Sequence, residues 1–421
     1  MPRDLPLRLW SALVAAVAFT SPTALGQCQY EAVLVAAPNQ CFPATDSPVS
    51  FRAINNHTEV AGNVYPCLGE PRAVYWSEGT GIVYLSIGPQ DRSQANGISD
   101  SAAVVGSVDV PVGGFAVTAP FYYHAGATTI LLPLPPLPEP YSAPATLGEW
   151  ITVNSAGLVG GFWGNGGQGP SPLPLTWTQA TGPVELTGLF ESTRATISRI
   201  SDSGLLVGWT SLDGPPMYAD RAFVGTDEGV TVVSEAPGGL DSRFYSVNDQ
   251  GVAVGCGQYP VPRSTMKRCR AFVWDGTFHD IGWISNQLPE SVAWDINELG
   301  QVVGDLFAGQ AFLWIEGQRY LLEDLVPDPT IPHLFHAFAI NDRGEIVAKA
   351  SLPSGIKGVI LKPIRTRPGD ATIDCHVDER DIQAIFTFWG RTYDYPQGPA
   401  DLNADGVVDA YDLAIVLGDW G

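Results

Sequence analysis

The chain has 421 residues, with 44 Asp and Glu against 22 Lys and Arg and a formal net charge of -22. Apolar residues make up 45% and charged residues 16%, which excludes an intrinsically disordered chain. With 46 Gly and 35 Pro it is not a long-helix or coiled-coil protein. So acidic a chain is also a poor partner for nucleic acid, whose phosphates need clustered cations.

Residues 1–26 read as a secretory signal. Arg3 and Arg8 give a positive start, and Leu9 to Phe19 is apolar but too short to span a bilayer. Small residues at Ala24 and Gly26 place cleavage before Gln27. No later stretch is apolar for about 18 residues, so no membrane span is expected after cleavage. The expected location is secreted, extracellular or at the cell surface. All six cysteines lie beyond the signal, and an even number in an exported chain suggests disulfides. Cys256 and Cys269 flank a polar loop with two prolines and are expected to pair. Within the trio Cys28, Cys41 and Cys67, the expected pair is Cys41 with Cys67, which leaves Cys375 free.

From residue 54 onward one pattern recurs: an apolar residue, then Asn or Ser, then a small residue seven positions later. It starts at Asn55, Ser99, Asn154, Ser201, Asn248, Asn297 and Asn341, at intervals of 44, 55, 47, 47, 49 and 44. In Val247-Asn248-Asp249-Gln250-Gly251-Val252, Asn and Asp start a turn and Gly251 supplies a positive φ, so the unit is a β-hairpin. The Asn is read as a turn residue. A second strand motif follows, as Arg72-Ala73-Val74-Tyr75-Trp76, Arg270-Ala271-Phe272-Val273-Trp274 and Gln310-Ala311-Phe312-Leu313-Trp314. A short apolar strand such as Phe278 to Ile281 completes four strands per period.

A four-stranded unit of this length cannot bury both faces alone, and radial packing buries each sheet against its neighbours. Seven copies predict an all-β, seven-bladed β-propeller over residues 27–362, with Tyr30 to Ala36 adding a strand to the last blade to close the ring. An open β-solenoid is the alternative. The Arg/Gln-Ala-Phe-x-Trp and Ile-Asn-x-x-Gly-x-Val-Val-Gly patterns resemble the extracellular HAF repeat of secreted bacterial proteins. That resemblance implies architecture and export rather than an activity. Two stretches break the period. Leu131 to Pro144 is proline-rich and read as an extended loop, and Gly160 to Pro170 is glycine-rich and read as flexible.

Residues 363–369 are a short linker. Asp370 to Gly421 carry 11 acids against two Arg, and the acids are evenly spaced. Asp401, Asn403, Asp405, the Val407 carbonyl, Asp409 and Asp412 fall at loop positions 1, 3, 5, 7, 9 and 12, with Gly406 at the sharp turn. This is the spacing that wraps hard oxygens around calcium. An earlier copy has Asp370, Thr372, Asp374, His376, Asp378 and Asp381, with Cys375 at the turn position and a neutral Thr372 as ligand, so it should bind more weakly. Val408 should point inward to pair with that loop. Helices are expected over Ile382 to Trp389 and Leu413 to Trp420.

Loop plus helix, repeated, resembles the type I dockerin module. The resemblance implies that Asp401, Asn403, Asp405, Val407 and Asp412 bind one calcium, with Asp409 acting through water. It implies that Asp370, Thr372, Asp374, His376 and Asp381 bind another, with Asp378 acting likewise. It also implies a cohesin-like or surface-anchoring partner. Glu379-Arg380 and Ala410-Tyr411 do not repeat a small hydroxyl pair, which argues against a cellulosome-type cohesin.

Motifs for nucleophilic serine, zinc-protease, P-loop or dinucleotide chemistry are missing from the sequence. His333 and His336 are three apart, without an evident third ligand. Asp213, Asp220, Asp241 and Asp295 are candidates for a glycosidase pair in a propeller mouth. The leading expectation is an exported, non-catalytic binding or scaffold propeller, with a glycan or partner ligand and a calcium-dependent tail. The alternatives are a carbohydrate-active enzyme on the propeller and a structural surface or matrix protein.

Overall fold

A computed structural model describes residues 29–38, 46–66, 70–87, 92–112, 115–130, 147–164, 172–191, 194–212, 219–233, 241–260, 267–281, 290–307, 309–395 and 398–421. The signal segment, Cys28, Cys41, Cys67, Asp213 and the proline-rich stretch 131–144 lie outside the described residues.

Seven four-stranded antiparallel meanders succeed one another along the chain. Their innermost strands are Val49–Ile54, Ser93–Ile98, Leu147–Val153, Ala195–Ile200, Ser242–Val247, Ser291–Ile296 and Leu334–Ile340, which define blades 1 to 7. Blade 7 takes its outermost strand from the start of the chain. Gln29–Val35 pairs with Gly355–Ile364 in continuous register from Gln29 opposite Ile364 to Val35 opposite Gly358. That strand and the packing of blade 7 on blade 1 close the ring and rule out the solenoid. The strand runs to Ile364, so the propeller extends into the expected linker.

Seven apolar clusters hold the disc, one at each interface between neighbouring blades. Phe272 of blade 5 meets Phe244 of the same blade and Val207 of blade 4, whereas Val254 and Ala271 face Ala293 and Ile296 of blade 6. The aromatic and branched positions of the second motif are therefore the packing surface of each sheet. The glycine that ends each hairpin repeat is needed for close approach. A Cβ on Gly255 would lie 1.9 Å from the Arg243 carbonyl oxygen, and one on Gly304 would lie 2.0 Å from that of Val292. Blade 7 carries Ala348 there, and it is the blade whose inner strand has a second register shift, between Leu334 and His336. Gly160–Gly164, expected to be flexible, is instead part of strand Val159–Gly164, paired on both sides.

Every inner strand carries a bulge at the same place, three residues before the turn Asn or Ser. The bulged residues are Arg52, Asn96, Ile151, Ser198, Tyr245, Trp294 and Phe338. None is buried, while nearly all their immediate neighbours are. A bulge re-aims a side chain out of the pleat, and here it supplies a ring of residues whose identities the packing does not dictate.

The tail forms two helices, Glu379–Thr387 and Ala410–Gly418, around their own apolar core of Val377, Ile385, Phe388, Val408 and Val416. Both begin about three residues earlier than the apolar pattern suggested. Asp378 and Asp409 are N-caps, and each forms a capping box with Asp381 or Asp412 at the third helical position. No helix among the described residues is long and apolar enough to cross a membrane.

Candidate functional site

The antiparallel meander puts the first hairpin turn of every blade on one face of the disc, the turn face, and the longer connections on the opposite loop face. On the turn face the repeat Asn has two jobs. Asn248 Oδ1 accepts the Val252 N–H at 3.0 Å, closing its own turn, and its Nδ2 donates to the Asn297 carbonyl of the next blade at 3.3 Å. The same clasp joins Asn55 to Ser99, Asn154 to Ser201, Asn297 to Asn341 and Asn341 to Asn55, at 2.9 to 3.1 Å. Ser99 and Ser201 keep the turn through their hydroxyls but lack the amide that reaches across.

The next residue builds a second ring. Asp100, Asp202, Asp249, Glu298 and Asp342 each accept a backbone N–H from the preceding blade at 2.6 to 2.9 Å. Asn56 extends the series from blade 7 to blade 1 by accepting from the Asp342 N–H at 2.9 Å, and Ser155 of blade 3 stands where the others carry an acid or Asn. Five carboxylates thus converge on the axis. Burial, reinforced by the charge of Asp342, pushes Glu298 up to about 8. Burial likewise raises Asp342 to about 6, against hydrogen bonds from Glu298 and Asn56.

The tail closes this end. The segment Arg391 to Tyr395, which joins the tail helices, lines a chamber of about 420 Å³ together with the acidic ring. Tyr395 is buried and meets His57 edge-on at 5.6 Å, and Asp394 lies 3.6 Å from the same imidazole. Gln301 donates to the Thr372 carbonyl at 3.0 Å, Leu299 packs on the tail core, and Arg380 pairs with Glu316 of blade 6. Cys375, expected to be free, is disulfide-bonded, with its partner outside the described residues. Cys256 and Cys269 form a disulfide with Cα atoms 5.5 Å apart.

The two acidic loops of the tail differ. In the second, Asp401 is buried; its Oδ2 accepts the Gly406 N–H at 3.1 Å, while Oδ1 has no hydrogen-bond partner. Asn403 and Asp405 accept the N–H groups of Asp405 and Val407, which folds the loop around that oxygen. Asp412 accepts from Leu402, Asn403 and Asp409. An unpartnered buried carboxylate oxygen among further oxygen donors fits a hard cation. In the first loop both oxygens of Asp370 accept backbone N–H groups, and Arg380 contacts Asp374 at 3.2 Å and Asp378 at 3.1 Å. His376 turns its Nδ1 to the Asp374 carbonyl at 3.0 Å. Burial, with the charges of Asp374 and Asp381, pushes Asp370 up to about 7. Among the described residues, no three His, Cys, Asp or Glu side chains converge as a ready-made metal cluster. Val408 points inward as expected, but its backbone pairs with Gly390 and Arg391, at 2.9 and 3.1 Å, rather than with the first loop.

Towards the loop face the channel is lined differently. Tyr245 and Trp294 meet at a tilt of 42° with centroids 4.8 Å apart, and Trp294 donates to Asp305 at 2.6 Å. Asp305 also holds His336, which stacks on Phe338 at 5.3 Å. Of the glycosidase candidates, Asp295 is fixed by Ser246 at 2.6 Å, the Ile340 N–H at 3.1 Å and Arg199 at 3.2 Å. Asp220 pairs with Arg243, and Asp241 accepts the Asp220 N–H at 3.2 Å. His333 contacts Glu323 at 2.9 Å and His336 contacts Asp305, so each histidine has a separate carboxylate partner. Glu149 was missed in the sequence; burial raises its carboxyl above the ordinary range, and Arg52 opposes that rise.

The chain is therefore a seven-bladed β-propeller whose two channel ends carry different chemistry. No protein-family model matches it, and no curated protein does. Among solved structures it is similar to the β-propeller domain of the Trilobed protease from Pyrococcus furiosus, at 11% identity and a TM-score of 0.49, over 75% of this chain and 93% of that one. It is also similar to YCF48 bound to D1 peptide, at 10% identity and a TM-score of 0.38, over 80% and 95%. A third is a puromycin hydrolase S511A mutant, at 13% identity and a TM-score of 0.45, over 75% of this chain and 52% of that one.

Proposed function

We propose that this protein is an exported, non-catalytic binding propeller that takes its ligand at the loop face, with a calcium-loaded, dockerin-like tail on the opposite face. One observation carries the reading. The carboxylates Asp220, Asp295 and Asp305 are each fixed by cations or hydrogen-bond donors, while the half-buried Tyr245 and Trp294 offer ring surface. Positioned rings with a few polar groups are the chemistry of a binding cleft. Export rests on the N-terminal signal pattern and the cysteines.

In the tail, Asp401, Asn403, Asp405, the Val407 carbonyl, Asp409 and Asp412 would hold calcium, and the unpartnered Asp401 Oδ1 supports that choice. The loop Asp370 to Asp381 would be the weaker site, since Arg380 already neutralises Asp374. A cohesin-like or surface-anchoring partner would meet the tail through its solvent-facing Phe386, Trp389, Tyr411 and Trp420. Calorimetric titration of the full mature chain with calcium should give one tight site, lost in Asp401→Ala. The same titration should leave amide exchange in the propeller unchanged while slowing it in residues 390–395, because Tyr393 N–H donates to the Gly406 carbonyl at 2.8 Å. No heat from the wild type would remove calcium from the reading.

A second reading, a carbohydrate-active enzyme, draws on Glu149, whose raised carboxyl could serve as a general acid. Reducing-sugar release from any polysaccharide, abolished by Glu149→Gln, would favour it over the first.

A further inference from the structure

Phe338, the bulged residue of blade 7, carries two cations on its ring. The Arg52 guanidinium of blade 1 lies 5.0 Å from the ring centroid and the Lys349 ammonium lies 4.9 Å from it. Neither forms an ion pair or a hydrogen bond among the described residues. Glu149 lies within electrostatic reach of Arg52, and Asp305 of Lys349, but neither carboxylate is ion-paired or hydrogen-bonded to its cation. Burial, with repulsion from Arg52, holds the Lys349 ammonium below its ordinary range, and Asp305 offsets this only in part. The π face of Phe338 attracts both, but it supplies no acceptor oxygens. A carboxylate within reach of both would accept charge-assisted hydrogen bonds from them and offset the repulsion.

What lies beside the pair narrows the ligand. His336 stacks on Phe338 and is held by Asp305, which also takes the Trp294 N–H. Asp305 is buried and also accepts the Ala337 N–H at 3.1 Å, so what faces a ligand here is the Tyr245–Trp294 pair, whose apolar faces suit the C–H face of a pyranose. We propose that the loop-face mouth binds an acidic polysaccharide, with Arg52 and Lys349 taking a uronate carboxylate and the Tyr245 and Trp294 rings taking the sugar. This rests on the binding reading above and names its ligand class. A polyglutamate chain supplies the carboxylates but not the sugar rings.

The test uses the full mature chain and three probes: polygalacturonate, a neutral galactan and polyglutamate. Polygalacturonate should be retained and the other two should not. Arg52→Gln with Lys349→Met should weaken retention about tenfold or more, with an unchanged thermal melt. If that double variant does not fold, the wild type supplies the same answer, because raising salt from about 0.05 M to about 0.5 M should weaken polygalacturonate binding about tenfold. Equal retention of galactan, or indifference to both the substitutions and salt, overturns the anion assignment and leaves the binding propeller standing. Equal retention of polyglutamate overturns the glycan class. Retention of no probe overturns this proposal, and failure of a wider glycan and protein screen would be needed to remove the binding reading as well.

Discussion

On the turn face, seven hairpins repeat one turn closed by Asn or Ser, and the five with Asn add the same clasp to the next blade. Midway along the inner strands, the bulged positions run Arg, Asn, Ile, Ser, Tyr, Trp and Phe, with no two alike. The contrast has a physical basis. A turn that must satisfy its own backbone and clasp its neighbour has few chemical solutions, and Asn, which donates and accepts, is the best of them. A bulged residue closes no turn, and the bonds its side chain makes, such as Asn96 to the Trp150 carbonyl or Trp294 to Asp305, differ from blade to blade. Repetition in this chain marks the scaffold, and the breaks in repetition mark where the proposed binding surface would lie.

Three experiments sharpen that contrast. The largest effect is expected at the close-approach glycine: Gly255→Val would drive a side chain into the Arg243 carbonyl. A loss on the order of 3 kcal/mol or more is expected, seen as failure to accumulate folded protein, whereas Ser198→Val on the bulge ring should leave the melt unchanged. A smaller loss is expected from Asn341→Ser, which keeps the turn but removes the amide bonded to the Asn55 carbonyl at 2.9 Å. Urea unfolding should register about 1 kcal/mol, and Ser201→Asn should not lower stability. The smallest effect is with pH. Glu298 titrates near an ordinary 4.5 when unfolded and at about 8 when folded, so between those values the folded chain binds more protons. Stability should therefore fall as pH rises through that window, with Asp342 adding to the slope between 3.8 and about 6. Melting temperatures at about pH 5 and pH 8 should differ less in Glu298→Gln.

The scaffold was legible because its signals are local. The turn Asn, its partner glycine and the strand at Tyr30 sit in short windows of sequence, and the ring follows from their count. The tail helices were read about three residues short because aspartates at loop positions 9 and 12, read as ligands, also cap the helix. Cys375 was misjudged because pairing depends on where a distant segment lies. The mouth was invisible for the same reason: Arg52, Trp294, Phe338 and Lys349 come from three blades. One signal was available. The position three residues before each Asn or Ser varies between mostly small or apolar flanks, and it marks the bulge ring.

The pairing of Gln29–Val35 with Gly355–Ile364 imposes an order of events on biogenesis. The first strand to emerge has no mate until almost the last blade exists, so the polypeptide waits with an unsatisfied edge while six blades are made. Whatever shields that edge in the interval, whether a chaperone or the slow rate of closure itself, governs how much of the protein reaches its finished form.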